Sequence, residues 1–331
     1  MKAFWRGRRV LVTGATGIIG SWLVKELLAQ EAHAVVLVLD TDFQSELYRS
    51  GAIRQVSVVN GALEDFWTLE RAINVHEVDT IFHLGAQTIV TTAHRFPLPT
   101  FEANIRGTYN LLEAARLHRD RVERVLVASS DKAYGAQPKL PYTEDMELLG
   151  RHPYEVSKSC ADLIAQAYYH TYRLPVAIAR CGNVYGGGDL NWSRIVPGTI
   201  LSCLRGERPV LRSDGSHIRD YVYVKDVARA YLRLAECLED SRVRGEAFNF
   251  STESPVTVLE MVQAIQRLMD CAHLKPDIRD CAEGEIHQQH LSAAKARGLL
   301  KWEPGFGLEA GLSETIAWYR AYLADEPAGA L

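Results

Sequence analysis

The chain has no apolar run approaching the roughly 18 residues that a membrane-spanning helix needs, and it carries no surplus of one charge. Its 37 Lys and Arg stand against 41 Asp and Glu, interspersed, for a formal net charge of −4. That balance gives no basic face for nucleic acid, so neither DNA nor a bilayer is an expected partner. Residues 1–9 are basic but run straight into a strand-like segment, without the apolar stretch and small-residue cleavage site of a secretory signal. The expected location is cytoplasmic. The six cysteines (Cys160, Cys181, Cys203, Cys237, Cys271 and Cys281) include no CxxC pair, which suits reduced thiols better than a disulfide framework. No internal repeat or low-complexity tract is present. What remains is an ordinary globular chain of 331 residues, 47% apolar, long enough for one large domain or two closely packed ones with a sizeable core.

The first half alternates two patterns. Apolar, β-branched runs at 9–13, 34–40, 56–60, 80–84, 124–129 and 175–181 read as strands buried on both faces, hence as a parallel sheet. Amphipathic stretches at 21–30, 65–74, 104–118 and 153–173 are long enough to be crossover helices between them. The expectation is an α/β fold: a Rossmann-type, doubly wound parallel sheet with a smaller, sequence-interleaved substrate-binding lobe. The rhythm breaks after Cys181 at Gly186-Gly187-Gly188, before a helix-like 194–205 and a turn at Ser213-Asp214-Gly215. We therefore expect residues 1–182 plus about 219–251 to form the cofactor domain, and about 183–218 plus 252–331 the substrate lobe.

The apolar run ending at Thr13 leads into Gly14-Ala15-Thr16-Gly17-Ile18-Ile19-Gly20 and then a helix. Three glycines in GxxGxxG spacing at a strand-to-helix turn let backbone amides and a helix N-terminus approach a pyrophosphate. The next strand ends at Asp40, an acid that can bond adenosine ribose hydroxyls and disfavour a 2′-phosphate. The cofactor expected is NAD rather than NADP, although Arg49 or Arg54 nearby could alter that preference.

Further along, Ser130 closes the fifth strand and begins Ser130-Asp131-Lys132-Ala133-Tyr134. Tyr154 and Lys158 stand four apart, on one face if Tyr154 opens a helix. The lysine ammonium could then lower the phenol's pKa and hold the nicotinamide ribose at once. Tyr154 would serve as a base near neutral pH, with Ser130 bonding the substrate oxygen beside it. Asp131 and Lys132 add an acid and an amine, or else form a surface ion pair beside the pocket. A lysine base must shed its proton, which requires burial or nearby positive charge.

With GATGIIG at 14–20, FHLGAQ at 82–87, NIRGTYNLLEAAR at 104–116, YEVSK at 154–158 and RDYVYVKDVARAY at 219–231, the whole chain resembles the extended short-chain dehydrogenases/reductases, the superfamily of nucleotide-sugar epimerases and dehydratases. Through SDKAY, HPYEVSKSCADL and GNVYGGGDLNWSRIVP at 182–197 it is most similar to the CDP-glucose 4,6-dehydratases. The resemblance implies an NAD site at Gly14, Thr16, Gly17, Ile18, Ile19, Gly20, Asp40, Leu63, Leu84, Gly85, Ala86, Gln87, Tyr154 and Lys158. It implies nucleotide-sugar contacts at Thr88, Asn183, Arg194, Val196 and Arg219. The catalytic residues it implies are Ser130, Asp131, Lys132, Tyr154 and Lys158. Tyr154 takes the C4 hydroxyl proton as hydride leaves C4 for NAD, and Lys132 fills the place of the glutamate that removes the C5 proton in many dehydratases. Asp131 protonates the departing C6 hydroxyl before hydride returns to C6. A homodimer through a four-helix bundle of 104–118 and 153–173 is also implied, although packing on the sheet accounts equally for the same apolar stripes.

A 4-epimerase on the same frame is the alternative; it has no use for the acid–amine pair, which is why elimination is expected. A non-catalytic NAD-binding regulator is opposed by the intact Ser130, Tyr154 and Lys158. Four positions depart from the family: Ala62 replaces an aspartate that bonds the adenine amino group, Gly85 an alanine, Ala93 a serine and Ser292 an aspartate. Asn104, at the start of its helix, could be merely an N-cap, and Arg194 and Arg219 could be caps or surface charges. His287 and His290 have no third ligand of matching spacing, so no metal is expected.

Overall fold

The structure is a computed structural model and describes residues 2–281 and 286–325. Runs such as Arg-Val-Leu-Val-Thr in β1 (Arg9–Thr13) are buried along nearly their whole length, so they need cover on both faces and take the centre of a sheet. With β1 come β2 (His33–Val38), β3 (Ser57–Asn60), β4 (Thr80–His83), β5 (Arg124–Ala128), β6 (Val176–Cys181) and the late strand β11 (Ala247–Phe250). They make a seven-stranded parallel sheet in the order β11-β6-β5-β4-β1-β2-β3. The order turns back between β1 and β4, and the carboxyl ends there open a crevice of the kind in which such sheets bind ligands.

Helices cover both faces. Helix α1 (Lys2–Trp5), α2 (Ile18–Ala29) and α10 (Val224–Glu236) seal one side, where Trp5, Leu23, Leu27, Tyr231 and Phe248 are buried. On the other side α4 (Phe66–Val75), α7 (Gly107–Leu117) and α8 (Pro153–Tyr172) bury Leu69, Ile73, Leu111 and Ala165 against the sheet. Short helices α3 (Glu46–Arg49), α5 (Val90–Arg95) and α6 (Pro97–Phe101) fill connections. Helix α2 begins three residues before the expected 21 because Gly17 is its extended N-cap and Gly20 lies inside its first turn. Helix α7 is preceded at 102–106 by a π-helical turn that no periodicity announces.

The smaller lobe is built from fragments. Strand β7 (Asn183–Tyr185) pairs with β10 (Tyr221–Tyr223), and β8 (Val210–Leu211) with β13 (Asp277–Ile278). Strand β9 (Ile218–Arg219) lies between β12 (Val256–Thr257) and β14 (Gln288–Gln289). Helices α9 (Ile195–Leu204), α11 (Val258–Leu268) and α12 (Leu308–Asp325) close a core around Ile200, Met261, Ile265 and Tyr319. The chain crosses between the two bodies repeatedly: Ala293, Ala296, Leu300 and Trp302 return to the core of the large sheet after β14.

One buried polar network ties α8 to the sheet beneath the crevice. Arg180 on β6 donates from Nε and Nη2 to both Asp162 oxygens, at 2.8 and 3.0 Å, and from Nη1 to the Tyr134 hydroxyl at 2.8 Å. Tyr134 passes the chain to Asn249 on β11 at 2.8 Å. The Arg180 and Asp162 side chains are 3% and 0% exposed, so each charge depends on the other for stabilisation.

Candidate active site

The glycine turn is shaped as a cradle. Gly14 has φ +69°, and a Cβ there would lie 2.7 Å from the Gly85 nitrogen; one on Gly20 would collide with the Gly14 carbonyl oxygen. Glycine is thus required at 14 and 20 by close backbone packing, whereas a Cβ on Gly17 would meet only the Gly14 carbonyl oxygen, at 3.3 Å, so the turn is open on that side. The N-cap of α2, Gly17, contributes no side-chain hydrogen bond, so the first-turn amides around Ile18 and Ile19 are left to bind an anion. Thr13 Oγ1 accepts from Gly85 N at 3.0 Å and meets His83 Nδ1 at 2.9 Å, and His83 Nε2 meets Thr108 Oγ1 at 3.0 Å. Burial, helped by the Lys158 charge, pushes the His83 pKa down to about 3. The imidazole is therefore a neutral strut between the turn and α7. Asp40 is exposed just beyond β2, and Leu63 is buried with its carbonyl accepting from Asn110 at 3.2 Å. The donor set and clearance fit a dinucleotide pyrophosphate and ribose.

Ser130, two residues past the end of β5, is extended and caps the 3-10 turn at 131–134, its Oγ accepting from Lys132 N at 3.2 Å. The same hydroxyl donates to Asp131 Oδ1 at 3.0 Å and hydrogen-bonds the Tyr154 phenol. Tyr154 sits in the first turn of α8, where Pro153 is compatible with the first turn and Glu155 Oε2 accepts from the amides of Arg151 and His152 at 2.9 and 3.2 Å. Ser130, Asp131, Lys132 and Tyr154 therefore converge, as the sequence expects.

The electrostatics differ from that expectation. Burial pushes the Tyr154 pKa up to about 12, and the cation that opposes this is Arg194, not Lys158. Lys158 is 5% exposed and donates to the Ala128 carbonyl at 2.8 Å. Its own pKa is lowered to about 8 by burial, against the pull of Asp162. One N–H of its amine is anchored on β5, and the groups that lower the phenol's pKa against burial are Arg194 and Ser130.

Lys132 acquires both conditions that a lysine base needs. Burial lowers its pKa, Asp131 raises it, and the Arg219 charge lowers it further. Asp131 is 2% exposed; its Oδ2 makes no hydrogen bond and lies 3.6 Å from Lys132 Nζ. A surface ion pair does not describe this geometry. Lys132 Nζ also donates to Gln289 Oε1 on β14, a residue no sequence motif singles out.

The lobe-side candidates are placed as follows. Arg219 on β9 donates to the carbonyls of Ile218 and His287 at 3.0 and 3.1 Å. Arg194 precedes α9 and pairs with Asp189 at 3.1 Å, and Asn183 opens β7 with its amide on the Asp220 carbonyl at 2.8 Å. Val196 is buried in the lobe's core, whereas Thr88 is exposed beyond β4. The Gln87 side chain accepts from Ile89 N at 2.6 Å. Asn104 is no simple cap: it accepts from Gln87 N at 2.7 Å and donates to the Gln87 carbonyl at 3.0 Å and Ser157 Oγ at 2.9 Å. Leu84 and Ala86 flank Gly85 at the carboxyl end of β4. Among the described residues no helix is long and apolar enough to cross a membrane, and no three His, Cys, Asp or Glu side chains are grouped to hold a metal ion.

A parallel sheet with its glycine turn at the switch point, and a Ser, Tyr and Lys at the adjoining strand and helix, define an enzyme of the extended short-chain dehydrogenase/reductase class. More narrowly, residues 11–315 match the family described as GDP-mannose 4,6 dehydratase, and the chain belongs to that family. It is 30% identical over 343 aligned residues to a CDP-glucose 4,6-dehydratase of Salmonella typhimurium, covering 98% of this chain and 94% of that protein. Among solved structures it resembles a dTDP-glucose 4,6-dehydratase from Bacillus anthracis in complex with NAD, with TM-score 0.84, 28% identity and coverage of 95% and 97%. A UDP-glucose 4-epimerase with UDP-glucose from Thermotoga maritima is equally similar, with TM-score 0.87, 28% identity and coverage of 95% and 99%.

Proposed function

We propose that this chain is an NAD-dependent nucleotide-sugar 4,6-dehydratase, converting its substrate to a 4-keto-6-deoxy sugar nucleotide with loss of water. The observation that carries the proposal is the buried Asp131 with Lys132 Nζ 3.6 Å away, on the turn that Ser130 opens beside Tyr154. The Salmonella typhimurium relative, a CDP-glucose 4,6-dehydratase, supports it. A 4-epimerase is the second reading, favoured by the Thermotoga maritima neighbour. An epimerase leaves the C5–H and C6–O bonds intact and gives an acid–amine pair nothing to do.

In this reading Gly14, Thr16, Gly17, Ile18, Ile19 and Gly20 hold the pyrophosphate side of NAD, Asp40 and Leu63 the adenosine, and 84–87 with Lys158 the nicotinamide half. NAD held there would supply the acceptor for hydride from the sugar's C4 and, once reduced, the donor of hydride to C6. Tyr154 removes the C4 hydroxyl proton while Ser130 bonds that oxygen, leaving a ketone that acidifies C5–H. Lys132 takes the C5 proton and Asp131 gives its proton to the C6 oxygen, which departs as water. The Lys132 proton then returns to C5. Each positioned proton transfer is worth roughly 10²–10⁴ in rate. Arg219 and Asn183 are assigned to the diphosphate and nucleoside, with Arg194, Val196 and Thr88 shaping the remaining pocket; the arginine fork suits two phosphate oxygens at once.

The cofactor half is assigned to 1–182 with about 219–251, and the sugar-nucleotide half to 183–218 with 252–331. The pairing of β9 and β10 within the lobe supports moving 218–223 to the second half, and the packing of Ala293 and Trp302 supports returning that stretch to the first. Residues 1, 282–285 and 326–331 of these ranges lie outside the described residues. The place of action is assigned to the cytoplasm. Helices α7 and α8 bury one face on the sheet yet leave Tyr109, Leu117, Leu163 and Tyr172 between 41% and 54% exposed, which supports a homodimer through a four-helix bundle. Sedimentation at twice the 37.0 kDa chain mass is the expected result, and a monomer at micromolar concentration would remove that assignment.

Mass spectrometry of the protein with NAD and CDP-, UDP-, dTDP- or GDP-linked hexoses tests the function. A product lighter by one water is expected, with CDP-glucose the first candidate. An isomer of unchanged mass would move the assignment to the epimerase.

A further inference from the structure

Lys132 owes its setting to a residue 157 positions away in the chain. Gln289 is fully buried on β14, and its side-chain amide spans the acid–amine pair: Nε2 donates to the Asp131 carbonyl at 3.0 Å while Oε1 accepts from Lys132 Nζ. The first bond fixes the second. Because the main-chain carbonyl of Asp131 can only accept, it must face the amide nitrogen, and the amide oxygen is left turned toward the lysine. The strand pairing sets Gln289 directly opposite Arg219 on β9. One short sheet thus brings a neutral acceptor and a cation to the same amine.

We infer that Gln289 is the positioning residue of the Asp131–Lys132 pair, holding the amine by one N–H and leaving its remaining valence for the sugar. The inference rests on the roles proposed above for Asp131 and Lys132. A neutral partner is what the chemistry requires. An amide fixes the direction of the amine without adding negative charge, whereas a carboxylate at the same place would trap the ammonium form. The charged groups facing Lys132 are Asp131 on its own turn, Glu155 on α8 and Arg219 on β9. Glu155 and, when it has given up its proton, Asp131 favour the ammonium; burial and Arg219 favour the free amine. Gln289 adds no charge to that balance; its acceptor favours the ammonium weakly while removing the swing of a long, flexible side chain.

Two near-isosteric variants separate this role from simple packing. Gln289→Met keeps volume and loses both hydrogen bonds; Gln289→Glu keeps an acceptor and adds charge. Titration of Lys132 by NMR of isotope-labelled lysine, its signal assigned by its loss in Lys132→Arg, needs no substrate. The expected result is a titration midpoint raised by about one unit or more in Gln289→Glu, a tenfold change in proton affinity, and lowered in Gln289→Met. In turnover with CDP-glucose, or whichever of the four linked hexoses loses water, Gln289→Met is expected to slow dehydration at least about tenfold. The nicotinamide absorbance change of C4 oxidation should stay unaltered. A common Lys132 midpoint in wild type and both variants would overturn the inference, because a packing residue has no reason to move it. Failure of the wild type to dehydrate any hexose would instead overturn the dehydratase reading, with the NMR titration still deciding whether Gln289 governs the amine.

Discussion

Lys132→Met is expected to abolish dehydration while sparing the first half of the reaction. Methionine fills nearly the same space but has no nitrogen to take the C5 proton. The elimination rate should fall by roughly 10²–10⁴, the range in which a positioned base contributes. Tyr154 and Ser130 are untouched, so C4 oxidation should still register as nicotinamide absorbance that rises and then stays. Loss of that absorbance together with dehydration would mean that Lys132 serves binding or folding instead. In the wild type the amine works only unprotonated. Burial and Arg219 hold its pKa below the ordinary lysine value, against Asp131. Elimination should therefore decline as pH falls through that lowered pKa, because more of the amine becomes ammonium. A pH profile without this acid limb would contradict the assignment of Lys132 as base.

Tyr154→Phe should act earlier and stop both halves. The phenol hydrogen-bonds Ser130 and is the group assigned to the C4 oxygen. Removing its hydroxyl deletes the base for oxidation, so neither absorbance change nor dehydrated product should form, with a loss again of about 10²–10⁴. NAD should still bind, since the glycine turn and Asp40 are unaltered and only the phenol hydroxyl of the NAD site is lost. The stability cost should be small, about 1 kcal/mol for one hydrogen bond. Retained oxidation in this variant would sink the proposed mechanism. The structure also sharpens what the phenol needs: burial has raised its pKa to about 12 and Lys158 is engaged with the Ala128 carbonyl. Arg194 is the charge that eases ionisation, so a residue first assigned to the substrate pocket also bears on the base.

How much of this was legible follows from where the physical signal lies. Strands β1, β2, β4, β5 and β6 are readable because burial on both faces demands unbroken apolar runs, and β11 because Ala247 and Phe248 continue the same pattern; β3 is found at the sheet edge, where only Val59 is buried, so the expected burial on both faces does not hold there. The two-residue strands of the lobe are not readable, since a pair of residues such as Gln288 and Gln289 has no period to read. Ser130, Tyr154 and Lys158 could be located from type and spacing, but the direction of Lys158 is a tertiary fact set by the Ala128 carbonyl. Asn104 looked like a cap because caps are local; its actual partners, Gln87 and Ser157, lie on other elements. Gln289 had no local signature, because the Asp131 and Lys132 groups it serves lie far upstream.

That late strand has a bearing on synthesis as well as on chemistry. A chain emerging from the ribosome exposes β1 to β6 and the turn bearing Lys132 long before β14 exists, and domains tend to fold as their residues appear. The cofactor body can begin to condense early, yet the sheet that presents Arg219 and Gln289 to the lysine is completed only near the end of translation. The stretch around Trp302, which closes the first core, arrives later still. Incomplete chains are therefore left with a hydrophobic seam open beside an unfinished reaction centre, and chemical competence comes with the last part of the polypeptide.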